Sequence, residues 1–214
     1  IVFGDWSSDV CSSDLACPSG VQYGLLVEQS RIAIEQVNPP SRFESLLRWI
    51  TLQQLLPNLE RLRWMARILR LYQLSGISRL IRKLNLLPGP LRTMEGMLPN
   101  MPKQYRDHRM PAPAIGEKRG QVAFFHGCVQ EAFLAEVNEA TIRVLQRNGY
   151  EVHFPQLQTC CGAAALHVGA EDQAIRLARQ NIDAFLDQPS SEFLAIINNA
   201  GGCGATLKEY AHLL

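Results

Sequence analysis

From residue 41 onwards, apolar side chains recur at intervals of three and four residues, which is the spacing of one face of an α-helix. The sequence Ser41-Arg-Phe-Glu44 has the pattern of a helix-capping box, so a helix is expected to begin there. The apolar stripes are Phe43, Leu46, Leu47 and Ile50, then Leu59, Leu62, Ala66 and Leu69, then Ile77, Leu80, Ile81 and Leu84. Pro88-Gly-Pro90 breaks the pattern. We therefore predict a basic helical connector over residues 41–98.

Beyond a proline-rich linker at residues 99–119, short apolar runs alternate with helical stripes. The runs at 122–125, 151–155 and 193–197 predict three strands. The helical stripes are Phe133, Val137, Ala140 and Val144, and then Ala174, Leu177, Ala178, Ile182 and Phe185, with a further helix expected from Ala205 onwards. This alternating order implies parallel strands with right-handed crossovers. The predicted fold class is therefore α/β, with a helical N-terminal region followed by a Rossmann-like parallel βαβ domain.

Four of the six cysteines follow the predicted strands. Cys128 comes shortly after the first strand, Cys160 and Cys161 lie in the loop after the second, and Cys203 follows the third. The carboxyl ends of parallel strands share one edge of an open sheet, where ligand crevices form, so these thiols are expected to converge. Thiolates at such a density select soft metals, namely iron–sulfur clusters, zinc or copper(I).

Other interpretations of these cysteines stay open on the sequence alone. A buried cysteine often serves as a small hydrophobic residue, and the adjacent Cys160 and Cys161 could form a strained dithiol pair. A structural zinc site usually has paired C-x-x-C spacing, which the chain lacks. His126 and His167 stand beside the cysteine groups and are more readily hydrogen-bonded neighbours of the centre than ligands. The neighbouring glycines, Gly127, Gly162, Gly201, Gly202 and Gly204, let the backbone approach a bulky inorganic group.

Composition and charge exclude several classes of protein. With 47% hydrophobic and 19% charged residues the chain is neither disordered nor, lacking an apolar run of ~20 residues, membrane-spanning. The balance of 21 basic against 20 acidic residues argues against a general nucleic-acid binder. Residues 41–110, however, carry thirteen basic and four acidic side chains. This basic middle could dock an acidic partner or an anionic membrane surface, or simply be a solvated helical face.

The cysteine pattern resembles that of the CCG cysteine-rich domain, which is found in heterodisulfide reductase and its relatives. That pattern is one Cys, a long gap, Cys-Cys-Gly, a second long gap and Cys-x-x-Cys. Here it is represented by Cys128, by Cys160-Cys161-Gly162 and by Ala200-Gly-Gly-Cys203. Ala200 replaces the first cysteine of the last motif, so four cysteines are present instead of five. Four suffice for one [4Fe–4S] cluster and argue against a full non-cubane cluster.

The local sequences Phe125-His-Gly-Cys128 and Asn199-Ala-Gly-Gly-Cys203-Gly-Ala-Thr-Leu-Lys-Glu-Tyr210 are most similar to those of the iron–sulfur subunit of glycolate oxidase. The similarity runs from about Ala16 to the end of the sequence. It implies that Cys128, Cys160, Cys161 and Cys203 are the metal ligands of a first CCG domain at residues 120–214, with a second repeat expected beyond Leu214. His126, His167, Gly162 and Gly204 would surround that centre.

The first forty residues are interpreted in two parts. Residues 16–40 resemble the remnant of a two-cluster ferredoxin domain, with Cys17-Pro as the close of its second motif and Cys17 as an orphan cluster ligand. The expected partner positions hold Ser7, Val10 and Ser13. Residues 5–15 match the translation of a common sequencing adapter, so residues 1–15 are expected to be an artefact; the alternative is a genuine Ser/Asp-rich loop.

The resemblance implies an iron–sulfur electron-transfer subunit of a flavin-dependent glycolate or D-lactate dehydrogenase. Electrons would pass from the FAD of partner subunits, through [4Fe–4S] clusters, to a quinone or other acceptor. The chain itself would contain no catalytic acid or base, would be inactive alone, and would be cytoplasmic with peripheral contact at the inner face of the cell membrane. The alternatives are a lactate-utilisation protein, a heterodisulfide-reductase-like iron–sulfur protein and a structural zinc-binding module.

Overall fold

A computed structural model describes residues 23–83, 87–186 and 193–214. The predictions made for residues 1–15, for Cys17 and for Leu84 lie outside the described residues. Within them, no helix is long and apolar enough to cross a membrane.

The N-terminal part is helical, as predicted. Its elements are α1 (Tyr23–Val37), α2 (Arg42–Arg48), a π-helical segment (Trp49–Leu55), α3 (Leu59–Leu74), α4 (Ile77–Lys83) and α5 (Gly89–Gly96). The capping box at the start of α2 is confirmed, because Ser41 Oγ accepts from the Glu44 amide at 3.3 Å and Glu44 Oε2 accepts from the Ser41 amide at 2.9 Å. Pro88-Gly-Pro90 begins α5, with Pro88 at its N-cap and Pro90 in its first turn.

The predicted stripes of this region differ in burial. Leu62 and Ala66 of α3 are buried, as a core-facing stripe requires. The stripe on α2 and the π-helical segment shares one helical face but is exposed, with Phe43 at 69% and Leu46 at 52%. Helical periodicity reports which side chains share a face, and burial depends on which elements pack against that face.

The C-terminal part is an α/β domain, which confirms the predicted fold class. The strands are β1 (Gly120–Phe124), β2 (Tyr150–His153) and β3 (Ile196–Ile197), and they form a parallel sheet of order β2-β1-β3. The helices are α6 (Cys128–Phe133), α7 (Ala135–Arg147), α8 (Ala163–Leu166), α9 (Glu171–Leu186) and α10 (Gly201–Leu213). β3 is shorter than predicted, although the amide of Leu194 still donates to Gln121 O at 2.9 Å.

The helix predicted through Val137, Ala140 and Val144 is present, whereas Phe133 ends a separate helix. The chain forms two helices, α6 and α7, and the predicted stripe lies outward: Val137 is 44% and Val144 59% exposed. The buried face of α7 consists of Ala135, Asn138 and Ile142. Periodicity does not reveal this buried face, because a polar residue, Asn138, lies on it and is stabilised there by hydrogen bonds.

The predicted linker at residues 99–119 packs on the α/β domain. Ala112 forms an antiparallel bridge with Val152 of β2, and Met101 and Ala112 are buried. Arg106 binds Glu139 of α7 through two hydrogen bonds of 2.6 and 2.7 Å. The segment therefore joins the helical region to the domain as ordered structure.

Candidate metal centre

The four cysteines that follow the strands lie at the carboxyl edge of the sheet. Cys128 is the first residue of α6, Cys160 and Cys161 occupy the loop between β2 and α8, and Cys203 lies in the first turn of α10. Cys128, Cys160 and Cys161 are buried, Cys203 is partly buried, and all four are free of disulfide bonds. The predicted position of the thiols at three strand ends is confirmed.

The four thiols interact with their neighbours and form one continuous group. The Cys160 thiol interacts with the thiols of Cys128 and Cys161, and the Cys161 thiol also interacts with that of Cys203. Cys128 and Cys160 pack with Leu62 of α3, whereas Cys161 and Cys203 pack with Phe125. The convergence expected from the parallel topology is therefore present in the structure.

The electrostatics of the group differ from thiol to thiol. Hydrogen bonds from Cys128 and Cys161, with a further one from the Gly162 amide, lower the pKa of Cys160 to about 3 against the effect of burial. The bond from Cys161 likewise lowers the pKa of Cys203. The donating thiols, Cys128 and Cys161, have raised pKa values, first because of these bonds and then because of burial. The group thus favours thiolates, the form that binds metals, at two alternating positions.

The donor set suits an iron–sulfur cluster better than a preformed single-ion site. Among the residues that the structure describes, no three His, Cys, Asp or Glu side chains surround a common point as ligands of one metal ion. Four cysteine thiols are the ligands that such clusters take on their outer corners, and they need not surround one ion. Cys128, Cys160, Cys161 and Cys203 are accordingly the residues that could hold a cluster.

Glycines next to the cysteines allow close approach of the backbone. Gly127 has φ +67°, and a Cβ atom there would lie 3.7 Å from Cys203 Sγ. Gly162 has φ +92° and begins α8, where a Cβ would meet Ala174 Cα at 3.4 Å. A Cβ on Gly204 would lie 3.0 Å from Asn198 Nδ2. These positions explain why the cysteine loops need glycine.

The two histidines predicted beside the centre have different environments. His126 is buried, and its ring stacks on His108 with centroids 5.0 Å apart. Burial is the largest cause that lowers the pKa of His126 to about 4, so its imidazole is neutral. His167 has a side chain that is 59% exposed and 3.8 Å from Glu28 of α1. The structure therefore groups His167 with α1 and His126 with the loop that leads to Cys128.

Several buried or partly buried polar residues around the cysteines were missed by sequence analysis. Asn181 of α9 and Tyr210 of α10 bind the Cys160-Cys161 loop, and Arg63, Glu131 and Asn138 form a network beside Cys128. No periodicity marks them, since each is a single polar residue within a helix. Only Tyr210 falls within the local sequence that resembles the glycolate oxidase subunit.

The fold and the thiol group define a cysteine-rich α/β domain joined to a helical linker. Residues 122–208 match the family model of the cysteine-rich CCG domain, and residues 43–98 match that of the glycolate oxidase iron–sulfur subunit linker region. The chain is thus similar to glycolate oxidase iron–sulfur subunits over its helical region and to CCG proteins over its cysteine-rich domain.

Curated relatives agree with this assignment. The probable glycolate oxidase iron–sulfur subunit of Bacillus subtilis is 41% identical over 203 residues, which are 92% of this chain and 45% of that protein. The glycolate oxidase iron–sulfur subunit of Escherichia coli is 30% identical over 94% of the chain and 44% of its own length. Lactate utilization protein A of Geobacillus kaustophilus is 37% identical over 44% of the chain. The chain thus spans less than half the length of the first two relatives. No solved structure matches the chain.

Proposed function

We propose that this chain is part of an iron–sulfur electron-transfer subunit and that Cys128, Cys160, Cys161 and Cys203 hold its cluster. The supporting observation is that four free thiols, three of them buried, come from three strand ends and pack in adjoining clusters at the carboxyl edge of the sheet. A bound cluster would supply one-electron transfer. The chain's own residues bury the centre, keep the thiols together and fix the loops that carry them.

We propose that the cluster is [4Fe–4S], a type that four cysteines can hold. Ala200 lies at the N-cap of α10, where the family pattern has a fifth cysteine. Cys17 is proposed as an orphan ligand of a separate ferredoxin cluster and takes no part in this centre. His126, Gly162 and Gly204 would shape the surroundings of the cluster, whereas we expect less influence from the exposed His167.

For the whole protein we propose a role in a flavin-dependent glycolate or D-lactate dehydrogenase. The 2-hydroxy acid would be oxidised at the FAD of a partner subunit, and electrons would pass through this subunit to a quinone or another acceptor. The names of the relatives support the glycolate assignment. This chain by itself would not oxidise glycolate, because the proposed reaction takes place at the partner's flavin.

The outer face of α3 is the surface that we propose for docking the flavin subunit. Its apex is apolar and exposed, with Trp64 at 62%, Ile68 at 60% and Leu71 at 67%. Arg61 and Arg67 flank this apex, and the opposite face of α3 packs against α6. An apolar ridge with basic edges suits a protein surface with an apolar groove and acidic rim. Contact with the inner face of the cell membrane, in a cytoplasmic protein, is the alternative use of the same ridge.

The proposed cluster is tested by anaerobic reconstitution of the full chain with iron and sulfide, followed by metal analysis and EPR. We expect a cluster signal that is lost in Cys160→Ser and in Cys203→Ser. Cys17→Ser is the matched control and should keep the signal. A signal that survives both site substitutions would refute the ligand assignment. Stoichiometric zinc without sulfide would make the centre a structural zinc site.

A further inference from the structure

Glu131 is a buried carboxylate beside the cysteine centre. It lies one helical turn after Cys128 on α6 and is 1% exposed. A carboxylate without partners in such a position would be costly, because burial removes its hydration. Burial raises the pKa of Glu131, and hydrogen bonds from Asn138 and Arg63 oppose that effect. The buried Glu131 carboxylate is therefore stable only because Asn138 and Arg63 donate hydrogen bonds to it.

The charged partner of Glu131 comes from helix α3 of the helical connector. Arg63 of α3 donates from Nη2 to Glu131 Oε1 at 2.7 Å, and the Arg63 side chain is only 12% exposed. Arg63 also stacks over Tyr105 at 5.0 Å, and Tyr105 donates to the carbonyl of Ala132 in α6 at 2.9 Å. These contacts thus join α3 to α6, the helix that begins with Cys128.

The second oxygen of Glu131 connects to two cysteine loops. Asn138 Nδ2 donates to Glu131 Oε2 at 2.7 Å and to the carbonyl of His126 at 2.9 Å. Asn199 Nδ2 in turn donates to Asn138 Oδ1 at 2.9 Å. His126 is two residues before Cys128, and Asn199 is four residues before Cys203. The network therefore reaches the backbone in front of one cysteine and the loop in front of another.

We propose that Arg63 is a positioning residue for the cysteine centre, which it orders and charge-balances through Glu131. Helix α3 thereby fixes the backbone before Cys128 and the loop before Cys203. The effect on redox potential rests on the proposed function, since it requires a bound cluster, whereas the effect on thiol position does not.

The sign of the electrostatic effect follows from the charges. Removing Arg63 leaves the Glu131 carboxylate uncompensated, and a nearby negative charge disfavours the reduced, more negative cluster. Arg63→Met should therefore lower the midpoint potential at mildly alkaline pH, where the carboxyl is ionised. Glu131→Gln leaves the positive charge of Arg63 in place and should therefore raise the midpoint potential. The double variant Arg63→Met/Glu131→Gln removes both charges and should lie near the wild-type value.

The experiment has two readouts on the full chain. The first is the rate at which N-ethylmaleimide alkylates Cys128 in the metal-free protein, followed by mass spectrometry. The second is the EPR-monitored midpoint potential after anaerobic reconstitution. Arg63→Met should accelerate alkylation on the order of tenfold, as expected for loss of a buried network contact. Arg63→Lys should restore part of the slow rate, and Arg92→Met, an exposed arginine on α5, is the matched control.

The outcomes separate this proposal from the proposed function. If the wild-type chain takes up no cluster, the proposed function fails, and the alkylation rates still test the positioning role. If Arg63→Met matches the wild type in alkylation rate and in potential, the positioning role is refuted. Should Arg63→Met fail to fold by circular dichroism, Glu131→Gln and the double variant decide the question. Identical potentials in these two variants and the wild type would overturn the proposed charge balance.

Discussion

Asn181 of α9 donates a hydrogen bond from its side-chain amide to the carbonyl of Cys160 at 3.0 Å. The same Nδ2 lies 3.0 Å from Tyr210 Oη, and Asn181 Oδ1 accepts from the Thr159 amide at 2.8 Å. Tyr210 Oη donates to the carbonyl of Cys161 at 2.8 Å. One buried amide and one phenol therefore fix the backbone of the Cys160-Cys161 loop from two helices.

Replacing Asn181 should destabilise the protein strongly. Asn181→Leu leaves the Thr159 amide and the Cys160 carbonyl buried without partners, and each such group costs about 1–3 kcal/mol. We expect a loss of about 3 kcal/mol in the free energy of unfolding, measured in urea. Asn148→Ala is the matched control, because that side chain is exposed and bonds only Val144 O among the described contacts. Equal stability of Asn181→Leu and the wild type would show that the loop does not need this bond.

His108 should make the protein less stable in mild acid. Burial, then His126, Arg63 and Arg106, lower the pKa of His108 to about 3, although Glu131 Oε1 lies 3.6 Å from its Nε2. That carboxylate is already paired with Arg63, so the imidazole stays neutral.

The sign follows because the unfolded chain takes up a proton on His108 below its ordinary pKa of about 6.5, whereas the folded chain does so only near pH 3. Stability from this group is therefore lost as the pH falls from about 6.5, by about 2 kcal/mol at pH 5. His108→Phe keeps the stack on Phe154 and should flatten the dependence. Urea unfolding at several pH values measures it, and parallel curves for both proteins would contradict the expectation.

The exposed ridge on α3 should matter for binding and not for folding. Trp64→Ser and Leu71→Ser remove exposed apolar area, so the free energy of unfolding should change by less than about 0.5 kcal/mol. Both should weaken co-purification with the co-expressed flavin subunit. Val144→Ser, equally exposed on α7, is the control for general surface effects. Undiminished association with the flavin subunit, together with lost binding to anionic vesicles, would assign the ridge to the membrane.

Ala200 should accept a fifth thiol at the centre. Its Cβ lies 4.0 Å from the position that a Cβ on Gly127 would occupy, and that position is 3.7 Å from Cys203 Sγ. Ala200→Cys is therefore expected to raise the iron content on reconstitution and to alter the EPR spectrum. Ala211→Cys, exposed near the other end of α10, is the matched control. Iron content and spectra unchanged from the wild type would mean that residue 200 cannot reach the cluster.

Local patterns predicted the elements better than their environments. The spacing of apolar residues identified α3 and α9, and the capping box Ser41-Arg-Phe-Glu44 marked the start of α2. The stripe through Val137 and Val144 forms one face of α7, but the buried face is the one that carries Asn138. A pattern of hydrophobicity cannot identify a polar residue whose burial depends on partners elsewhere in the chain.

The sequence by itself determined the order of strands and helices and the place of each cysteine at a strand end. Parallel pairing then required Cys128, Cys160, Cys161 and Cys203 to meet, since all carboxyl ends share one edge of the sheet. Tertiary structure alone decided what surrounds them. The bond from Arg63 to Glu131 spans 68 residues and that from Tyr210 to the Cys161 carbonyl spans 49. Such contacts arise from packing between elements and leave no local signal in the sequence.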